Sequence, residues 1–399
     1  MPARTIRQLT DAEVSGRRVL IRVDFNVPLD DQGHVADATR ILAAVPTIKA
    51  LLDRGARVVL LSHFGRPKGV PNPKYSLRPV VARLQTALEP HPVSFLPETV
   101  GPAAVAATNA LDTGSVLLLE NTRFHAGEEA NDDAFSRQLA ELGDVYVNDA
   151  FGAAHRAHAS TAGVTKYVRP AVAGLLMERE LAFLGDALNA PEHPFVAVLG
   201  GSKISGKIDV IDALLPKVER LLIGGAMACT FFRAMGLETG SSLVEDDRVD
   251  MARDLIARAG NKLCLPTDAN VSTSMDERAR AHVVSREAIV KGEAMFDIGP
   301  ESITAFASEI ERAKTVLWNG PMGVFEKPPF DMGTRAVADA MARVTDNGAV
   351  TIVGGGDSAA AIAEAGLESR LTHISTGGGA ALEFLEGKTL PGVAALDQE

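Results

Sequence analysis

Cysteine is nearly absent from this chain: Cys229 and Cys264 are the only two among 399 residues. Two lone thiols at no motif spacing argue against a disulfide framework and against a zinc site. Long apolar runs are missing too, and none approaches the ~20 residues that span a bilayer. Met1 to Asp11 is polar and lacks the apolar core of a secretory signal. Positive charge is in the minority, with 40 Lys and Arg against 51 Asp and Glu and a net charge of −11. Neither a nucleic-acid backbone nor an anionic membrane is then expected as a partner, although a local basic cluster can still hold a small anion. There is no low-complexity linker and no tandem repeat of fixed period. A reduced, cytoplasmic protein is the expectation.

What is present is enough apolar residue for two cores: 46% of the chain is hydrophobic, and its length is about twice a domain of ~100–200 residues. Short β-rich runs alternate with longer segments of helical period, the pattern of parallel sheets with crossover helices. In the first half, strands are expected at Val19–Val23, Val58–Ser62, Val116–Glu120 and Val145–Asp149. Between the first two lies a helical segment, Thr39–Asp53, with apolar residues at Ile41, Leu42, Val45, Ile48, Leu51 and Leu52. In the second half the expected strands are Phe195–Leu199, Arg220–Ile223, Thr315–Trp318, Val350–Val353 and Thr372–Ile374. The join falls in the helix-like stretch Leu175 to Leu188 and the breaker Pro191-Glu192-His193-Pro194 that follows it.

Ligands of open α/β sheets sit beyond the carboxyl ends of the strands. In the first half those ends carry Asp24-Phe25-Asn26, then Ser62-His63-Phe64-Gly65-Arg66, then Glu120-Asn121-Thr122-Arg123, then Asn148-Asp149 with His155-Arg156. Arg40 opens the first long helix. Arginine presents a planar fork that matches carboxylate and phosphate oxygens. Several of them at one sheet edge suit a ligand with both groups, and Asp24 and Asn26 suit a hydroxyl on it. Taken singly, each Arg reads as well as a solvated surface residue, and His155 and His158 as structural ones. The repetition at successive strand ends favours the site.

In the second half, Phe195–Leu199 runs into Gly200-Gly201-Ser202-Lys203-Ile204-Ser205-Gly206-Lys207-Ile208. This approaches the phosphate loop G-x-x-x-x-G-K-[ST], but Ile208 stands where that loop needs a Mg²⁺-binding hydroxyl. Lys203 and Lys207, spaced i, i+4, are expected on one helical face. Glycine clusters at Gly224-Gly225, Gly354-Gly355-Gly356 and Gly377-Gly378-Gly379 each follow a strand. Any one alone reads as a tight turn; three beside a lysine pair suggest backbone N–H groups around a triphosphate. Asp357 suits Mg²⁺, or else caps a helix. Glu326 suits a ribose hydroxyl.

Together these segments resemble the phosphoglycerate kinase family. The carrying motifs are Arg22 to Pro28, Ser62 to Pro67, Asn148 to Gly152 with His155-Arg156, Gly200 to Lys207, Trp318 to Glu326, Gly354 to Asp357, and Ser375 to Gly379. The resemblance implies two Rossmann-like domains, each a parallel sheet flanked by helices, joined by a hinge with a cleft between them. The domains would be 1–174 for the phosphorylated acid and 195–385 for the nucleotide, with 175–194 as hinge and 386–399 returning to the first. It implies Asp24, Phe25, Asn26, Arg40, His63, Phe64, Gly65, Arg66, Arg123 and Arg156 around 3-phosphoglycerate or its 1,3-bisphospho form. Lys207, Met295, Glu326, Gly355, Gly356, Asp357 and Ser358 would meet ATP or ADP, with Mg²⁺ on Asp357. Arg40, Lys203, Lys207, Gly377 and Gly378 would surround the phosphoryl group. The family expectation is a monomer. Gly206, Ala153, Thr122 and Met295 depart from its usual Asp, Thr, Leu and Gly.

The implied acceptor is a carboxylate, ionised at neutral pH, so it needs no general base. Positioning and charge remain as the protein's task, together with closure to exclude water. A P-loop NTPase and a non-enzymatic clamp for a phosphorylated metabolite stay open as alternatives. The first requires the hydroxyl that Ile208 replaces, and the second needs no nucleotide.

Overall fold

The computed structural model describes residues 3–398 and divides the chain into two units, 1–182 with 389–399, and 183–388. The apolar runs of the first unit form β1 (Arg18–Arg22), β2 (Arg57–Leu61), β3 (Val93–Leu96), β4 (Val116–Leu119), β5 (Val145–Asn148) and β6 (Ala171–Ala173). They pair in the order β3-β4-β2-β1-β5-β6, all parallel. Val19 of β1 stands opposite Val58 and Val145, so three strand ends finish level with one another. Every residue of β4 and β5 is buried, as expected of a sheet covered on both faces. Chain order reverses beside β1, and the crevice at such a switch point is where side chains from different loops meet.

The helix Thr39–Leu52 buries Ile41, Ala44, Ile48, Leu51 and Leu52 against this sheet. Leu42, expected on the apolar face, is 45% exposed. At 100° per residue it lies too far round from Ile41 to share its face. The last residues belong to this unit as well: Asn148 Nδ2 donates to the Gly392 carbonyl at 3.1 Å, and the Gly392 amide donates to Ala154 O at 2.8 Å.

The second unit contains β7 (Phe195–Leu199), β8 (Arg220–Ile223), β9 (Leu263–Cys264), β10 (Asp268–Ser272), β11 (His282–Ser285), β12 (Ala294–Ile298), β13 (Thr315–Asn319), β14 (Val350–Gly354) and β15 (His373–Ile374). Six of these make a parallel sheet in the order β15-β14-β13-β7-β8-β9. The other three form a small antiparallel sheet, β11-β10-β12, which the sequence reading passed over. Its strands are short, and β11 is largely exposed, so it carries no apolar run. The helix Leu175–Asn189 contains the boundary between the units. Among the described residues, no helix is long and apolar enough to cross a membrane.

Candidate active site

In the first unit the strand ends bring together what their spacing suggested. Asp24 follows β1 and pairs with Arg40 Nη1 at 2.9 Å. His63, after β2, is buried beside both. Arg123, after β4, is 5% exposed; its Nη1 donates to the Gly65 carbonyl at 2.8 Å, and Nε lies 3.2 Å from Glu129. Asn26 Oδ1 accepts the Gly65 amide at 2.8 Å, which ties the first loop to the second. Gly65 itself has φ +60 and lies so close to the Tyr75 ring that a Cβ would meet it at 2.3 Å. Arg66 is exposed, and half-buried Arg156 donates to His155 Nε2 at 3.0 Å. Phe25 and Phe64 face the core: both are buried, so what they offer a ligand is backbone.

The charges perturb one another. Burial alone would raise the Asp24 carboxyl, but His63 when charged, then Arg40 and Arg22, outweigh it and hold it below its ordinary value. Burial pushes His63 well down; Asp24 opposes this, while Arg22, Arg123 and Arg40 add to it. The ring is therefore neutral at pH 7. His158 is pushed down to about 4 by burial and by Arg123 and Arg22, which fits a structural residue.

Two residues named at the end of β4, Asn121 and Glu120, hold this cluster in place, a role their position in the sequence does not assign. Asn121 accepts the amides of Phe64 at 3.1 Å and Arg123 at 3.0 Å, and donates to the carbonyls of Phe64 and Tyr75. Glu120 accepts from the Ser76 hydroxyl and the Leu77 amide at 2.7 and 2.8 Å. Both end an apolar strand, where a buried polar residue must find partners. That was the signal available.

In the second unit the centre is Lys207. Its Nζ donates to the Asn319 carbonyl at 2.8 Å and to the side-chain oxygen of the same residue. Burial pushes this amine down to about 8, against the pull of Asp357. Lys203 and Lys207 do not share a helical face, because the helix starts only at Ile208 and Lys203 lies exposed in the loop before it. Within that loop buried Ile204 and the Ser205–Glu245 bond at 3.0 Å hold the chain in a turn.

The glycines separate into two kinds. At Gly200 a Cβ would lie 2.2 Å from the Pro321 carbonyl, and at Gly225 2.5 Å from the Gly201 amide. The amides of Gly200, Gly201, Gly224 and Gly225 already donate to Asn319, Pro321, Leu199 and Met322. These glycines lock loops to each other, so Gly224-Gly225 does not supply free N–H groups as expected. Gly356 has nothing within 4 Å of its Cβ position. It opens the helix Gly356–Glu364, and Gly378 opens Gly378–Leu385, so first-turn amides there lack intrahelical acceptors. The two turns adjoin: a Cβ on Gly378 would be 3.5 Å from Gly355 Cα. Gly377 caps the second helix, its own amide bound to Ser375.

Asp357 is exposed at the second position of its helix, with Gly355 as the cap, so its carboxylate is not spent on capping. Ser358 is fully buried, and its hydroxyl accepts the Gly320 amide at 2.7 Å. It braces the turn rather than lining its open side. Met295 is buried with its sulfur 3.8 Å from Cys229 Sγ, while Glu326 is exposed. Among the described residues neither is hydrogen-bonded to the Lys207 cluster.

A family model, that of phosphoglycerate kinase, matches residues 9–388. The chain belongs to this family. It is 56% identical over 394 residues to the phosphoglycerate kinase of Chlorobium luteolum, covering 98% of this chain and 99% of that one. With the phosphoglycerate kinase of Chloroflexus aurantiacus it shares 58% identity over 400 residues, 99% of each chain. The solved structure of phosphoglycerate kinase from Coxiella burnetii superposes with a TM-score of 0.87 at 40% identity, covering 99% of this chain and 98% of that one. That from Pyrococcus horikoshii OT3 gives 0.85 at 29% identity and 98% of each. Family membership thus accounts for two parallel six-stranded sheets in one chain.

Proposed function

We propose that this chain transfers a phosphoryl group reversibly between 1,3-bisphosphoglycerate and ADP on one side and 3-phosphoglycerate and ATP on the other. The observation that carries this is the family match over nearly the whole length, with the motif residues clustered in each unit. In this reading the first unit binds the acid through Asp24, Asn26, Arg40, His63, Arg66, Arg123 and Arg156. The second binds the nucleotide at Lys207, Gly355 to Asp357, and Glu326. Arg40, Lys203, Lys207 and the helix start at Gly377-Gly378 supply positive charge to the phosphoryl oxygens. The acceptor carboxylate is ionised at neutral pH, so the pocket needs donors and no base. Neutral His63 supports this, because a base of such low basicity would do little at pH 7.

Among the described residues there is no group of three or more His, Cys, Asp and Glu that could hold a metal ion. The lone exposed carboxylate of Asp357 fits a different arrangement, in which Mg²⁺ takes one protein ligand and fills its sphere with phosphate oxygens and water. When bound, the ion would neutralise nucleotide charge. A monomer working in the cytoplasm completes the reading, with two free cysteines in its support. The P-loop alternative is disfavoured because Lys207 is engaged with Asn319 and Ile208 takes the hydroxyl position.

The test is ADP formation from Mg-ATP, with and without 3-phosphoglycerate, in the wild type and in Lys207→Ala. Turnover that requires the acid and collapses in the variant supports the reading. Hydrolysis independent of the acid defeats it.

A further inference from the structure

Strand β1 is apolar at Val19, Leu20 and Ile21 and ends on Arg22, whose side chain is wholly buried. A guanidinium stays charged inside a protein, so burying one demands acceptors and a countercharge. Arg22 Nε donates to Ser160 Oγ at 2.8 Å, Nη1 to the Val23 carbonyl, and Nη2 to His63 Nδ1 at 3.0 Å. Ser160 links it to a carboxylate: its hydroxyl donates to Glu128 Oε1 at 2.5 Å and its amide to Oε2 at 2.9 Å. Glu128 is fully buried and also accepts from the Thr122 hydroxyl at 3.2 Å. Tyr146 clamps the same serine through its carbonyl at 2.7 Å. Arg22 is thus fixed from behind.

Its front faces the imidazole. A guanidinium has five N–H donors and no lone pair. His63 Nδ1 must therefore be the acceptor, a bare nitrogen, and the single ring proton is left on Nε2. Asp24, the other group near Nδ1, is 3.9 Å away and outside hydrogen-bond reach. Nε2 has no hydrogen-bond partner among the described residues, so its N–H is available.

We propose that Arg22 is a positioning residue that locks His63 as the neutral Nε2–H tautomer, presenting one fixed donor to an anionic oxygen of the bound acid, and that Ser160 and Glu128 hold Arg22 in that role. This rests on the reading of His63 as an acid-binding residue. The arrangement makes physical sense in a pocket that already has Arg40, Arg123 and Arg156. A further full cation would be repelled by its neighbours, whereas a neutral N–H adds direction without charge. The proton stays on the ring throughout, and no bond is made or broken at His63.

The deciding experiment is nitrogen NMR on ¹⁵N-histidine-labelled protein, with His63 assigned by the signal lost in His63→Gln. At neutral pH and without ligand, Nδ1 is expected to resonate as a bare nitrogen and Nε2 as a protonated one. A protonated Nδ1, an imidazolium or an averaged ring overturns the proposal. Arg22→Met should average the tautomers and raise KM for 3-phosphoglycerate roughly tenfold to a hundredfold with kcat within about threefold. Arg22→Lys, which still offers Nδ1 a donor, should retain the wild-type signature. Arg22→Met leaves Glu128 buried without its countercharge, so Arg22→Met/Glu128→Gln is measured beside it. An unchanged signature in Arg22→Met and in Arg22→Met/Glu128→Gln also defeats the proposal. Adding 3-phosphoglycerate tests the underlying reading separately. If Nε2 fails to shift and His63→Gln leaves KM unaltered, the acid-binding role falls, and the ligand-free spectrum alone judges the Arg22 lock.

Discussion

Beside the strand ends of the first unit, Arg22, Arg40 and Arg123 act on a buried histidine, whereas the second unit offers one half-buried lysine among glycines. Both arrangements can hold anions, but they fail in different ways. A pocket of charged side chains needs compensation behind it, which Asp24, Glu129 and Glu128 provide in the first unit. A pocket of backbone needs turns that approach each other without side chains, as at Gly200 and Gly225. The first is therefore vulnerable to lost charge, and the second to added volume.

The largest effects should come from the cations themselves. Arg40→Ala is expected to lower kcat by about 10²–10³, and Lys207→Ala by a similar factor, if each acts on charge that develops in transit. Steady-state kinetics with both substrates varied decides this. Should Arg40→Ala change only KM for the acid, the first unit binds without contributing to the transition state. The comparison would then become one of binding against catalysis.

A second contrast lies in the carboxyls buried behind each site. Asp149, whose Oδ1 accepts the Leu176 and Met177 amides, is pushed by burial from 3.8 to about 6. Asp297, bonded by Ile298 and Gly333 and facing Asp331, is pushed from 3.8 to about 8, burial again leading. A carboxyl raised on folding contributes stability that is complete below its unfolded value and is lost as pH rises through the folded one. The Asp149 contribution is thus gone above about 6, after a loss of about 3 kcal/mol, while that of Asp297 goes on declining to about 8. Denaturant titrations across pH should show Asp149→Asn flattening the decline below about 6 and leaving the decline above it intact. Asp297→Asn should flatten the decline both below about 6 and from there up to about 8. If both act over the same range, the two sites are buried alike.

Much of this was legible beforehand. Strands β1, β2, β4, β5, β7, β8, β13 and β14 are apolar runs, so their carboxyl ends could be searched for chemistry. Edge strand β3 was not legible, since its residues are half-exposed and lack a continuous apolar signature. Lys203 and Lys207 show where local spacing misleads: a helical interval means nothing when the intervening residues form a turn. Arg22, Ser160 and Glu128 show where it is silent. Ser160 is 138 residues from Arg22 and 32 from Glu128, and only the fold tells which hydroxyl joins which charges. The glycines stood between these cases, because their recurrence was visible but not which ones bear on packing.

That division of the glycines permits the smallest and sharpest prediction. In Gly200→Ala the added Cβ meets two backbone carbonyls, Pro321 O at 2.2 Å and Gly320 O at 2.7 Å, which cannot swing aside as a side-chain tip would. Stability should fall by about 1–3 kcal/mol, seen as a lower denaturant midpoint, with loss of activity following from the disturbed turn. Gly356→Ala puts the same methyl into open space at the first position of a helix, without a positive φ to forbid it. Its stability should stay within about 0.5 kcal/mol of wild type. If the amides of this turn receive nucleotide phosphate, the methyl intrudes where the ligand's oxygens must come close. KM for ATP should then rise roughly fivefold, about 1 kcal/mol, with KM for 3-phosphoglycerate unmoved. A Gly356→Ala enzyme with unchanged KM for ATP would place the phosphates elsewhere, and the second unit's site would rest on Lys207 alone.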